Sequence, residues 1–243
     1  MRSIRTRFLC TVLAGTVVTA SPVLAELSSR YTVAGRDAAG HTSAGQNYAI
    51  VAAFAASGQV YHVNFTVGAN GVASGVAVEY ENSLGLAARG SDGKGYLALY
   101  QRTDAGWTGI ITAYSRNDLG SEVLYNGRAP GFLDPKQTPS VQVTGTYAMA
   151  GTNPDGTTYS GKVRIVSGDG IVDIFRDTGT EETVGTVIAA NDTLAINVLA
   201  RNQAADRREI GIVGVFIPQT DGFLGVWKKP GSDRLGAERW VRE

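Results

Sequence analysis

From Val163 onward apolar side chains fall on alternate positions: Val163 and Ile165, the run Ile171 to Phe175, Leu194, Ile196 and Val198, then Val213 and Val215. A period of two puts successive side chains on opposite faces of a strand, so these segments predict half-buried β-strands. Turn-forming clusters separate them at hairpin distances: Asn153-Pro154-Asp155-Gly156, Ser167-Gly168-Asp169-Gly170, Asn191-Asp192, Thr220-Asp221-Gly222 and Pro230-Gly231-Ser232-Asp233. The spacing predicts about eight short antiparallel strands in this half of the chain. A flat sheet of that size leaves two unpaired edges, and closing into an up-and-down barrel removes them. A two-sheet sandwich is the alternative.

The first half repeats the second. Arg30 to Gly35 aligns with Thr146 to Gly151 at an offset of 116 residues, and Gly40, Thr42, Gly45 and Ile50-Val51 fall near Gly156, Thr158, Gly161 and Ile165-Val166. In the middle the offset becomes 110, matching Phe65 with Phe175, Gly75 with Gly185, Val78 with Ile188 and Leu84 with Leu194. The extra residues of the first copy are expected in Ala52 to Ser57. The offset of 116 then returns through the shorter link from Arg89 to Gly95: Leu99-Tyr100 pairs with Val215-Phe216, and Leu119-Gly120-Ser121-Glu122 with Leu235-Gly236-Ala237-Glu238. Internal repetition with compensating gaps predicts two copies of one structural unit. The fold class expected is all-β, two tandem antiparallel up-and-down β-barrels, or else two β-sandwiches.

The N-terminus departs from this pattern. Arg2, Arg5 and Arg7 precede an uncharged apolar run from Phe8 to Ala20, followed by Ser21, Pro22 and Val23-Leu24-Ala25. This is the form of a secretory signal peptide, and the run is shorter than the ~20 residues a membrane anchor needs. The expected organisation is a signal peptide over 1–25, a first barrel over 26–127, a proline-rich linker over 128–140 and a second barrel over 141–243. Export to the periplasm or the extracellular space follows.

Cys10, the one cysteine, lies in the signal segment. The remaining chain therefore has neither disulfides nor thiolate chemistry. Without Arg2, Arg5 and Arg7, 19 basic residues face 22 acidic ones, a formal charge of −3. No basic field suits nucleic acid, and no amphipathic helix suits a membrane surface. Glycine, 31 of 243 residues, fits a chain of many tight turns.

Gly145-Thr146-Tyr147, Tyr159-Ser160-Gly161, the central Gly185 and the closing Asp221-Gly222-Phe223-Leu224-Gly225, with Ala105 to Gly109 as the first-copy match, resemble the small avidin-like and lipocalin-like barrels in order. The resemblance implies a closed barrel and no particular ligand. No biotin-binding set is present, and Tyr31 and Tyr147 stand where lipocalins carry tryptophan.

Candidate chemistry is sparse. Glu122 and Glu238, in the best-matched block between the copies, read either as carboxylates capping the end of the last strand beside Arg164 or Arg239, or as polar anchors in a barrel mouth. Trp107, Trp227, Trp240, Tyr61 and Tyr80 are the aromatic candidates for a ligand wall, against simple packing of the cores. Tyr96 and Tyr100 lie on the strand face opposite Leu97 and Leu99, so one of those faces is expected to meet the other copy. His41 and His62, the only histidines, read as surface groups, and an enzyme would have to pair Glu122 with His62. Neither a metal-ligand cluster nor a phosphate loop followed by a helix is present, so no cofactor is expected. The sequence thus points to a non-enzymatic binding protein for a small apolar or amphipathic ligand, or to an envelope protein whose outer faces hold a macromolecule.

Overall fold

A computed structural model of the chain describes residues 30–36, 50–113, 118–133, 143–167, 172–200 and 209–243. The signal segment, His41, Asp169 and much of the linker lie outside them. Eight strands make up each half. The first holds β1 (Arg30–Arg36), β2 (Ile50–Ser57), β3 (Val60–Val67), β4 (Asn70–Tyr80), β5 (Ser83–Gly90), β6 (Gly95–Thr103), β7 (Gly106–Ala113) and β8 (Gly120–Tyr125). The second holds β9 (Gly145–Thr152), β10 (Thr158–Ser167), β11 (Val172–Asp177), β12 (Glu182–Ala190), β13 (Thr193–Ala200), β14 (Ile212–Gln219), β15 (Gly222–Lys228) and β16 (Gly236–Arg242). Each set pairs antiparallel with its neighbours in chain order, and β1 with β8 and β9 with β16 close two barrels. The sandwich alternative is excluded.

The predicted turns do what their residues allow. Asn191 and Asp192 both take positive φ, +46° and +67°, giving the two-residue hairpin whose twist matches the flanking strands. Inside the first barrel, Tyr31, Phe54, Tyr61, Val63, Leu84, Leu86, Tyr100, Trp107 and Leu124 form one buried cluster. Inside the second, Tyr147, Met149, Val163, Ile174, Leu194, Ile196, Phe216, Phe223 and Trp240 form its counterpart.

A third cluster lies between the barrels: Val76, Val78, Ala87, Leu97, Leu99 and Ile110 of the first meet Ile188, Ala190, Ala195 and Val213 of the second. The face of Leu97 and Leu99 is therefore the one that meets the other copy, and Tyr100 points into its own barrel. Burial on both faces explains why β5 and β13 are buried almost throughout rather than alternating. Gly85 of β5 marks the closest approach, since a Cβ there would lie 2.5 Å from Val215 Cγ2 and 3.2 Å from the Gly214 oxygen. At the edge of the contact, Gly58 (φ +60°) turns β2 into β3 beneath the Asp233 loop. There the Gln59 amide donates to the Asp233 oxygen at 2.8 Å, and the Leu235 amide to Gln59 Oε1 at 3.0 Å.

The ladders correct the middle of the internal alignment. Gly75 and Gly185 face Ala88 and Val198 across the next strand, which keeps the offset of 110. On the other side Gly75 faces Val63, whereas Gly185 faces Ile174, an offset of 111. Phe65 therefore occupies the place of Arg176, and Phe175 points outward, stacked under Arg164 at 4.6 Å. Likewise Tyr31 faces Ala52 and Tyr147 faces Val163, so the same 111 holds for β2. Five of the six extra residues of the first copy therefore precede β2, the sixth enters at the register shift between β3 and β4, and none is in Ala52 to Ser57.

Candidate functional site

Glu122 and Glu238 occupy equivalent rungs. Glu122 lies between Gly109 and Gly35, and Glu238 between Gly225 and Gly151. A Cβ on Gly109 would meet the Tyr100 ring, one on Gly225 the Phe216 ring and one on Gly151 the Tyr159 ring, so these glycines let the neighbouring aromatic side chains pack close to the closing strands. The Leu-Gly-x-Glu block opens the last strand of each barrel rather than ending it. Leu124 and Trp240, two residues on, belong to the barrel interiors, which fixes the inward direction of both glutamates.

Around Glu238 the site is complete. Arg176 reaches it through Nη2 and, at 3.3 Å, through Nε, while Tyr159 Oη and Trp240 Nε1 also donate to it. Glu238 is 1% exposed and Arg176 5%. Burial by itself lowers the Arg176 pKa, but the Glu238 carboxylate outweighs it and holds the guanidinium charged. Neither Arg164 nor Arg239 is the partner: Arg239 binds Asp221 at 2.8 Å on the surface. Trp240 stacks on Phe216 at 4.1 Å, and Trp227 packs against Tyr159. Among the described residues Arg176 and Glu238 neutralise each other inside this buried apolar cluster.

Around Glu122 the described partners are fewer. Tyr100 Oη donates to its carboxyl, and among the described residues no cation pairs with it. Glu122 stays partly exposed. Burial of the carboxyl pushes its pKa from the ordinary 4.5 up to about 7, with only the Tyr100 hydrogen bond opposing. Three inward positions of this barrel carry smaller side chains than their counterparts, while Tyr96 is larger than Ile212. By the rungs, Ile111 replaces Trp227, Ala88 replaces Val198 and Ala73 replaces Thr183.

The floor below is filled. Trp107 Nε1 donates to Tyr31 Oη at 3.4 Å, and Tyr61 Oη to Glu79 Oε2 at 3.4 Å. Arg102 lies 3.8 Å from Glu79 and over the Trp107 ring at 5.0 Å. Burial raises the Glu79 pKa, and the nearby Arg102 offsets part of that.

Of the aromatic candidates, Trp107 and Tyr61 thus form the floor of the first barrel, and Trp227 and Trp240 pack within the second. Tyr80 lies on the same outward alternation of β4 as Val76 and Val78, half-buried and away from the interior. The Glu122 and His62 pair is not brought together: His62 points outward, its Nε2 3.5 Å from Asp233 Oδ1. A polar groove of ~370 Å³ where the barrels meet, lined by Glu81, Gln101, Arg102 and Pro218 among others, is open and contains none of the candidates.

Sequence reasoning missed Arg176 and Glu79. Arg176 continues the inward alternation Val172, Ile174, and a charge at such a position is the signal; the match of Phe65 to Phe175 hid it.

No family model and no curated protein matches the chain. Among solved structures, a protein of unknown function of the DUF3598 family from Nostoc punctiforme matches at 10% identity and TM-score 0.32, covering 88% of this chain and 96% of the other. A protein described as an outer membrane protein from Bacteroides fragilis matches at 13% and 0.28, covering 88% and 96%. Transferrin binding protein B from Haemophilus parasuis matches at 6% and 0.25, covering 88% and 75%. None of these likenesses bears on what this chain binds. Among the described residues no helix is long and apolar enough to cross a membrane.

Proposed function

We propose that the chain is an exported, non-enzymatic binding protein whose first barrel holds one small amphipathic molecule, with Glu122 as its polar anchor. The second barrel acts as a solid structural partner. The observation that carries this reading is the partly exposed, inward Glu122 with a single donor among the described residues, set over an aromatic floor, with Ile111 where the second barrel has Trp227. Binding pockets commonly combine apolar walls with a few convergent polar groups. The basic and apolar N-terminal segment supports export. A macromolecule docked on an outer apolar face has less support, because the Leu97 and Leu99 face is already covered by the other barrel.

Native mass spectrometry of the purified protein, followed by titration with the neutral probe 1-naphthol read by tryptophan quenching, tests the reading. A single saturable site is expected. Ile111→Trp, which places the second barrel's tryptophan at the equivalent rung, is expected to abolish it. Absence of both a co-purified small molecule and saturable quenching refutes the reading.

A further inference from the structure

The two glutamates share a rung and differ in what neutralises them. A carboxylate has about four acceptor sites. In the second barrel four contacts reach Glu238, from Arg176 Nε and Nη2, Tyr159 Oη and Trp240 Nε1. Among the described residues of the first barrel, Tyr100 Oη alone reaches Glu122. Phe65 stands at the rung of Arg176, so the cation is missing from the chain at the place where the fold provides for one. Arg102, on the same strand as Tyr100, is engaged one layer below with Glu79 and the Trp107 ring.

We propose that the ligand of the first barrel is a small organic monocation, an amine or guanidine with an apolar body, whose charged head pairs with Glu122 as Arg176 pairs with Glu238. This rests on the reading of the first barrel as a ligand site. One uncompensated carboxyl calls for one positive charge. An anionic head would meet the carboxylate of Glu122, and a neutral one would leave it uncompensated in a desolvated interior. The aromatic and aliphatic groups around it, Phe65, Tyr96 and Ile111, suit an apolar body and add cation–π attraction near the head. The buried floor of Tyr31, Phe54 and Trp107 limits depth, so the molecule is short and enters head first from the end of the barrel where β6 begins and β7 finishes.

The test is calorimetric titration of the full protein with phenethylamine, 2-phenylethanol and phenylacetate, molecules of matched size that differ in the head. At pH 8 the amine is expected to bind about tenfold or more tighter than the alcohol, the order a charge-assisted bond supplies. Glu122→Gln should erase that preference while retaining the alcohol. Phe65→Arg, which restores the second barrel's ion pair, should remove amine binding with Glu122 still present; circular dichroism verifies the fold of both variants. The amine preference should shrink between pH 8 and pH 6 as Glu122 takes up a proton. The other titratable groups in this interior are Tyr96 and Tyr100 on β6, with Tyr31, Tyr61, Glu79 and Arg102 below. Equal binding of amine and alcohol, or an amine preference that survives Glu122→Gln, overturns the monocation while leaving the cavity standing. Failure of all three together with 1-naphthol overturns both.

Discussion

The two barrels are the same ladder with opposite solutions to one inward glutamate. The second closes over Glu238 with an arginine, a tyrosine and a tryptophan, and reaches neutrality within its own chain. The first keeps the glutamate, has Phe65 at the rung of the arginine and Leu124 at the rung of Trp240, and leaves the carboxyl partly exposed with a raised pKa. The difference teaches that the same inward carboxylate at the same rung is structural or available according to the partner its neighbouring strands supply.

The largest effect that would break this contrast is on the second barrel. Arg176→Met leaves Glu238 buried without its cation, and denaturant unfolding should show a loss of ~3–5 kcal/mol. The double change Arg176→Met with Glu238→Gln should recover much of it. A loss no larger than that of a surface charge would mean that Glu238 is not held as an ion pair.

Next comes the pH response of the first barrel. Because the folded pKa of Glu122 lies above its unfolded value, the folded state binds more protons between pH 4.5 and 7. Stability from this group is present below pH 4.5, declines as pH rises, and is lost above about 7. At ~1.4 kcal/mol per unit the span amounts to at most ~3.5 kcal/mol. Glu122→Gln should therefore be more stable than the parent at pH 8 and show a flatter profile between pH 5 and 7. An unchanged profile would place the carboxyl in a water-like environment.

A smaller effect probes what the barrels share. Gly85→Ala puts a methyl against Val215 and the Gly214 oxygen, and overpacking of this kind costs ~1–3 kcal/mol. Thermal unfolding should shift down and separate into two transitions as the contact loosens. The smallest change is Arg89→Ala, which removes the exposed pair with Glu209 (2.6 Å) between the barrels and should move stability by under ~1 kcal/mol.

Much of the fold was legible because period-two patterning and turn chemistry are local. The two sets of about eight strands and the barrel closure follow from alternation and repetition, which also set Leu97 and Leu99 opposite Tyr96 and Tyr100 but left open which of the two faces meets the other copy. What was not legible depended on register. A one-residue difference in β3 decides whether Phe65 matches Phe175 or Arg176, and a β-bulge between Phe65 and Thr66 sets it. That single step concealed the Arg176 partner of Glu238 and turned attention to Arg164 and Arg239, which lie outside the barrel. The glutamates themselves were readable as a repeated block. The occupancy of their rungs was not, since it rests on strands far apart in sequence.

The dry contact between β4–β6 and β12–β14 also bears on how the molecule can be handled. A fragment cut at the linker would carry Leu97, Leu99 and Val78, or Ile188, Ala195 and Val213, into water as a continuous greasy strip. Such fragments would find each other again as homodimers or swapped assemblies, so the tandem arrangement is a covalently joined dimer in which each half shields the other from strangers.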